Sequence, residues 1–310
     1  MAVVFLCNYI FMNEHKPKII VILGPTATGK SDIAVMLAKK FNGEIISADS
    51  RQVYKGMDLG SGKITKKEMG SIPHYLLDVV NPKTLFSVAK YKTIAEKAIE
   101  KIIADGKNPI ICGGTGFYID SIVKNIILPN VKLNKKLRVK LEKYPAEKLF
   151  ETLVKLSPSR AKNIDKHNKV RLVRAIEIAK ALGNVPEIKE GPKKYDFIFV
   201  GLDTKDQILK DRIALRLNKR IKLGMINEIK NLHKHGVSWK RLESFGLEYR
   251  QTTLFLQNKI TKDEMIHNLN NEIWHFVKRQ RTWFKRNEKI RWFEPKQISK
   301  ILKYSAANLV

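Results

Sequence analysis

Apolar positions along the chain follow two periods. "KIIVIL" (18–23) is an unbroken apolar run closed by Gly-Pro, and the apolar residues after it, Ile33, Leu37 and Phe41, recur at helical spacing. That pattern predicts a buried strand, a loop and a helix. It repeats: "EIISA" (44–48) runs into Asp49, "HYLLDVV" (74–80) is a further apolar run, 88–103 has helical spacing, and "NPIIC" (108–112) runs into Gly-Gly-Thr-Gly. Strands alternating with helices predict an α/β fold, a parallel sheet covered by helices on both faces. Ligands of such sheets bind beyond the carboxyl ends of the strands. Three strand ends therefore matter: residues 24–31, Asp49-Ser50 and Gly113-Gly114-Thr115.

From about Leu128 the pattern becomes basic and helical without clear strands, bounded by Pro129 and "GNVPEIKEGPKK"; "YDFIFVGLD" (195–203) then returns as a strand. The rest reads as helices with an aromatic and basic segment, "WHFVKRQRTWFKR" (274–286). The expected organisation is a catalytic core of 18–127 and 195–310, an inserted helical subdomain of 128–194, and an unstructured extension of 1–17 in which Met12 is a plausible start. The apolar "MAVVFLCNYIFM" has no basic leading region and is too short to span a bilayer as a helix, so no membrane association is expected.

Charge changes the picture. The 59 Lys and Arg against 30 Asp and Glu give a formal +29. The excess is uneven: 17 basic minus 11 acidic residues is +6 over 1–130, 18 minus 7 is +11 over 131–194, and 24 minus 10 is +14 over 205–310. A small anion for the first part and a polyanion for the others fit that distribution; nucleotide bias in the genome is the alternative source of part of the charge, since the composition is rich in Lys, Ile and Asn. Two cysteines, Cys7 and Cys112, are too few for a disulfide framework or a zinc site and point to a reducing, cytoplasmic setting. Nothing in the sequence demands more than a monomer.

"GPTATGKS" (24–31) has the G-x-x-x-x-G-K-S spacing of a phosphate loop. Its glycines let successive N–H groups face an anion at a helix N-terminus; Lys30 would reach the terminal phosphates and the Ser31 hydroxyl would meet Mg²⁺. Nucleotide-hydrolysing loops of this kind, such as those binding ATP, usually have an acidic Mg²⁺ ligand at the end of a later strand, yet "NPIIC" ends in Gly-Gly-Thr. The acid comes earlier, as Asp49. It could be a metal ligand, the base of a small-molecule kinase, a base serving a loop that holds a departing diphosphate, or simply a helix N-cap or an exposed loop aspartate.

The series "GPTATGKS", "ISADSRQVYKGMDLGSGK", "IPHYLLDVVNP", "ICGGTGFYI", "RLVRAIE", "FGLEYRQ" and "KRQRTWFKR" resembles the tRNA dimethylallyltransferases, in the family's order over about 18–293. The resemblance implies a P-loop core with a helical insertion. The activity it implies is transfer of the dimethylallyl group from its diphosphate to N6 of adenosine 37 in the tRNA anticodon arm, in tRNAs reading codons that begin with U, with Mg²⁺ as cofactor. It also implies that Gly24, Pro25, Thr26, Ala27, Thr28, Gly29, Lys30 and Ser31 bind the diphosphate, with Ser31 or its neighbours meeting Mg²⁺, and that Asp49 is the general base. Thr115 would orient Asp49 or the amine, and Arg216 would stabilise the leaving group, with Arg212 and Arg220 alternatives on the same helix face. Asp49, Ser50, Arg51, Gln52 and Thr115 would surround the target base, while Arg138, Arg171 and Arg174 would contact the tRNA. Trp283 or Phe284 would either stack a base or belong to the core.

Two stretches depart from the family pattern. "GSGK" (60–63) replaces Gly-Thr-Ala-Lys, and "GLEYRQ" stands where many bacterial members have Ile-Gly-Tyr, a change expected to touch no catalytic group. His74 and Asp78 match the pattern and are expected to serve a turn or strand packing. The rival readings are a P-loop kinase of a nucleoside or small metabolite, and a non-enzymatic RNA-binding ATPase module.

Overall fold

The computed structural model describes residues 16–309; nearly all of the expected N-terminal extension, with Cys7 and Met12, lies outside them. The chain divides into two compact units, one formed by the chain up to Lys124 together with the chain from Lys193 onward, the other by Asn125–Pro192. Eight strands are present among the described residues: β1 (Lys18–Leu23), β2 (Gly43–Ser47), β3 (His74–Tyr75), β4 (Asn108–Gly113), β5 (Ile126–Ile127), β6 (Lys189–Glu190), β7 (Asp196–Leu202) and β8 (Arg291–Phe293).

In the first unit six strands form one sheet in the order β3-β2-β4-β1-β7-β8, and every neighbouring pair is parallel. The uninterrupted apolar runs have their cause here, because both faces are covered. Ile19, Val21 and Leu23 pack toward the helices Val88–Ala104 and Gly116–Val123, whereas Ile20 and Ile22 pack toward Lys30–Lys40 and the C-terminal helix Ile298–Leu309. Alternate residues of a strand point to opposite faces, so one run feeds two cores. In Val88–Ala104 the buried Tyr91, Ala95, Ile99 and Ile102 recur every three or four residues. A third core joins Val53, Tyr54 and Met57 to the helices after residue 205, through Leu209, Ile213, Ile229, Tyr249, Leu269 and Val277.

Three expectations need correction. "HYLLDVV" is a strand for two residues only: Leu76 and Asp78 take left-handed φ of 63° and 55°, and the run regains pairing at a single Tyr54–Val80 bridge. Residues distant in sequence hold the turn, since the Asp78 N–H donates to the Gln52 carbonyl and its carboxylate pairs with Lys63. "RWF" (291–293), read as part of a helical tail, is the edge strand β8. The second unit is not strand-free: β5 and β6 pair antiparallel, each too short to display an alternation. The rest of that unit is helical around Leu149, Leu153, Leu172 and Ile176.

β1 lies between β4 and β7, so the loop after it emerges at the middle of the sheet. Gly24 opens that loop at φ 139°, and a Cβ there would stand 2.1 Å from the Leu202 carbonyl oxygen of β7. Gly24→Ala is expected to destabilise the protein by more than the roughly 1–3 kcal/mol of backbone strain alone, because the clash is with backbone. A urea midpoint unchanged from wild type would contradict this.

Candidate active site

Parallel pairing in the order β2-β4-β1 brings the three predicted strand ends to one edge. The pairing continues past the strands: the Ala48 N–H donates to the Cys112 carbonyl at 2.8 Å, and the Thr115 N–H to the Ala48 carbonyl at 3.1 Å. Asp49 and Thr115 are thereby held by backbone. The Asp49 Oδ1 accepts the N–H groups of Arg51 at 2.7 Å and Gln52 at 3.3 Å, and its Oδ2 has no hydrogen bond among the described residues. The Thr115 hydroxyl oxygen accepts the Ser50 N–H at 3.1 Å, leaving its own proton to donate.

The phosphate loop turns through left-handed φ at Ala27 (65°) and Gly29 (79°) into the helix Lys30–Lys40. Successive N–H groups in such a conformation at a helix start form an anion cradle. The Thr28 hydroxyl is buried and donates to the Pro25 carbonyl at 2.9 Å, so it shapes the loop. The Lys30 ammonium donates to that same carbonyl at 2.6 Å. Burial pushes Lys30 down to about 8, with Arg216 adding to the fall and Cys112 and Asp49 opposing it. The Ser31 hydroxyl is exposed at the first turn. Among the described residues no cluster of three or more His, Cys, Asp or Glu could cage a metal. The exposed Ser31 hydroxyl is a hard oxygen donor of the kind Mg²⁺ takes when phosphate oxygens and waters fill its remaining positions.

A cavity of about 560 Å³ opens beside these groups. Thr26, Asp49, Ser50, Arg51 and Thr115 line one part of it, and Gly60, Ser61, Arg220, the 245–250 segment, Glu272, Ile273, His275, Phe276 and Arg279 line the rest. Arg51 is fixed there by its Nε bond to the Phe245 carbonyl at 2.7 Å. Gln52 does not line the cavity; its amide is used on Ser47 and the Gly62 carbonyl.

The chain matches the family model described as IPP transferase over residues 52–287. The chain belongs to the IPP transferase family. Among its relatives, it is 42% identical to tRNA dimethylallyltransferase 1 of Syntrophus aciditrophicus, with 87% of this chain and 90% of the relative covered. It is 44% identical to tRNA dimethylallyltransferase 2 of Treponema denticola, with 89% and 94% covered. The crystal structure of the full-length tRNA isopentenylpyrophosphate transferase of Bacillus halodurans superposes with a TM-score of 0.73 at 34% identity, covering 95% of this chain and 97% of that one. A eukaryotic dimethylallyltransferase acting on tRNA gives a TM-score of 0.75 at 26% identity, over 94% of this chain and 77% of that one.

Within this family member Arg220 separates from the other two candidate arginines. Arg220 bonds the Glu248 carboxylate at 3.1 Å. Arg216 forms no hydrogen bond or ion pair among the described residues, and its field reaches Lys30. Arg216 is exposed, but the protein packed around its side chain and, after it, the neighbouring Arg220 lower its proton affinity, while Glu248, Asp32 and Glu68 oppose that fall. Arg212 is exposed.

Sequence reasoning missed Glu248. It belongs to the departing "GLEYRQ" stretch, yet it is buried in the cavity wall and holds one of the candidate arginines. Burial raises its carboxyl, an effect Arg220 opposes and Asp49 reinforces. The other departure, "GSGK", meets it at the same guanidinium: a Cβ on Gly62 would stand 2.0 Å from an Arg220 terminal nitrogen. Residues 62 and 248 are far apart in sequence, so no spacing signal links them. Asp203 was also missed. It ends β7 where a nucleotide-hydrolysing loop could find its acidic ligand, but both its oxygens are bonded to Arg281, at 2.8 and 2.9 Å.

The aromatic segment is largely structural. Phe284 is in the core, which removes it as a base-stacking platform, and the partly buried Trp283 donates from its ring nitrogen to Asp120 at 3.1 Å. Phe276 is the aromatic of this stretch that lines the cavity. His74 sits in β3 with Nδ1 on the Ile72 carbonyl, and Asp78 pairs with Lys63.

In the second unit Arg138 and Arg174 both bond the buried Glu177, Arg138 through two nitrogens at 2.7 and 2.9 Å. Arg171 is exposed, and no bond of its side chain is seen among the described residues. Burial works to raise Glu177, but the bonds from Arg138, the Asn134 N–H and Arg174 outweigh it and hold the carboxyl down at about 2. A carboxyl lowered on folding contributes stability that is complete above its unfolded pKa and is lost as pH falls through the folded one. Wild type is therefore expected to lose melting temperature between about pH 5 and pH 2 more steeply than Glu177→Gln, which should start lower and fall less. Parallel pH profiles would remove Glu177 as the source.

Proposed function

We propose that this protein transfers a dimethylallyl group from dimethylallyl diphosphate to N6 of adenosine 37 in the anticodon arm of tRNA, releasing diphosphate. The observation that carries the mechanism is Asp49: one oxygen is locked by two backbone N–H groups while the other is free, in the cavity that Thr26 and Thr115 also line. The exocyclic amine of adenine is a weak nucleophile and sheds a proton as its nitrogen bonds the allylic carbon. The free Asp49 oxygen takes that proton, and the Thr115 hydroxyl orients the amine or the carboxylate.

Breaking the carbon–oxygen bond leaves its electron pair on the diphosphate. The N–H groups of residues 27–31, Lys30 and Arg216 stabilise that charge. Mg²⁺ held on the diphosphate, with Ser31 as a protein ligand, would supply further charge neutralisation. A stacked loop base must be extruded to reach Asp49, at a cost of a few kcal/mol. Arg51, His275 and Phe276 border the space that would receive it. The basic second unit, with Arg171 outward, is our candidate for the anticodon-arm phosphates. A reducing cytoplasm completes the reading and suits the buried free thiol of Cys112.

The deciding measurement incubates the protein with Mg²⁺, radiolabelled dimethylallyl diphosphate and unmodified tRNA. Label should enter tRNA; phosphate transfer from ATP to a small acceptor instead would establish the kinase. Asp49→Ala should lower the transfer rate by about 10²–10⁴ while tRNA affinity changes little, and retained turnover would remove Asp49 as the base. Arg216→Ala should lower kcat by about 10²–10³, and Arg220→Ala by much less, since Glu248 already occupies that guanidinium; the reverse order would exchange their roles.

A further inference from the structure

The ladder between β1 and β4 ends at the Leu23–Gly113 register, and beyond it no backbone hydrogen bond joins the phosphate loop to the loop carrying Thr115 among the described residues. A side-chain amide spans that gap. Gln280 lies on the long helix Lys262–Phe284 and is only 5% exposed. Its Oε1 accepts the Thr26 N–H at 2.9 Å, and its Nε2 donates to the Gly114 carbonyl at 2.9 Å.

A glutamine amide has the donor and acceptor of a peptide group, so it adds one more rung where the two backbones have diverged. Its own position is fixed by Val277 and Phe284, both buried on the same helix, and by Trp283, which holds the helix to Asp120. The Thr26 N–H, bonded to Gln280, is withdrawn from the anion cradle, leaving that work to the N–H groups after it. Gly114 records the same contact, since a Cβ there would stand 2.3 Å from the Gln280 Nε2 and has no other atom within 3.4 Å.

We propose that Gln280 is a positioning residue for the transfer reaction, fixing the separation between the loop that receives the diphosphate and the loop that presents Thr115. The proposal rests on the functional reading above. The bond that breaks ends on the first loop, and the bond that forms is made beside Thr115 and Asp49, so the allylic carbon must be held between the two loops. A misplacement of about 1 Å between reacting groups can cost on the order of a hundredfold in rate. Gln280 has no need to touch either substrate. Its removal lets each loop keep its own ligand while their spacing relaxes.

The test measures kcat, KM for dimethylallyl diphosphate, affinity for inorganic diphosphate and affinity for tRNA in Gln280→Met, Gln280→Glu, Gly114→Ala and the double variant Gly114→Ala with Gln280→Ala. Gln280→Met keeps the bulk without either bond, and Gln280→Glu keeps the acceptor but sets a carboxylate against the Gly114 carbonyl. Both should lose about tenfold or more in kcat, with KM and both affinities within about threefold. Gly114→Ala should lose a similar factor by displacing the glutamine, and adding Gln280→Ala to it should cost nothing further, because the same contact is already gone.

Wild-type kcat in Gln280→Met, a fall in both affinities that matches the fall in rate, or multiplicative losses in the double variant would each overturn the proposal. Lys30→Ala separates this outcome from failure of the underlying reading. Loss of diphosphate affinity in Lys30→Ala beside a wild-type kcat in Gln280→Met would overturn the role of Gln280 alone. Diphosphate affinity unchanged in Lys30→Ala would overturn the phosphate-loop assignment and the proposal with it.

Discussion

The adjacency of β2, β4 and β1 in a parallel sheet is the constraint on which the rest of the site depends. Parallel strands deliver all their carboxyl ends to one edge, and the ladder bonds that run past the strand ends, Ala48 to Cys112 and Thr115 to Ala48, carry that order into the loops. Asp49 and Thr115 gain fixed positions from backbone hydrogen bonds, and the phosphate loop is set beside them by the Gln280 amide. Positions held by backbone cost little rotamer entropy when the substrate arrives, which is where oriented catalysis obtains its advantage.

A second theme is how a strongly basic chain decides which of its cations stay available. Carboxylates do the sorting. Glu177 holds Arg138 and Arg174, Asp203 holds Arg281, and Glu248 holds Arg220. Arg216 beside the phosphate loop and Arg171 on the second unit remain without such a partner among the described residues. Glu228 acts on the backbone instead, accepting the N–H groups of Asp58, Leu59 and Gly60 and so ordering the loop that borders the cavity. Buried ion pairs contribute little net stability once desolvation is counted, but losing one partner is costly. Their value here is conformational: they fix particular cations and leave others available for an anion.

Much of this was legible in the sequence, for identifiable reasons. Uninterrupted apolar runs marked β1, β2, β4 and β7 because a doubly covered strand has no polar face. The phosphate loop was legible because its chemistry is local: glycine conformations, a lysine and a hydroxyl within eight residues. The apolar run after His74 misled because apolar residues also occupy left-handed turns when distant partners hold them, as Lys63 holds Asp78. β8 was hidden because three residues at a sheet edge carry no periodicity.

By itself, then, the sequence determined the α/β class, the three strand ends that matter and the residue types at them, all of which depend on neighbours within a few positions along the chain. Only the tertiary structure decided that Arg220 is engaged by Glu248, that Phe284 is core, that Glu248 stands in the cavity wall, and that Gln280 bridges two loops. Those outcomes are competitions among groups tens to hundreds of residues apart for a limited number of hydrogen bonds. Such competitions are settled by distance in space, which no local spacing encodes.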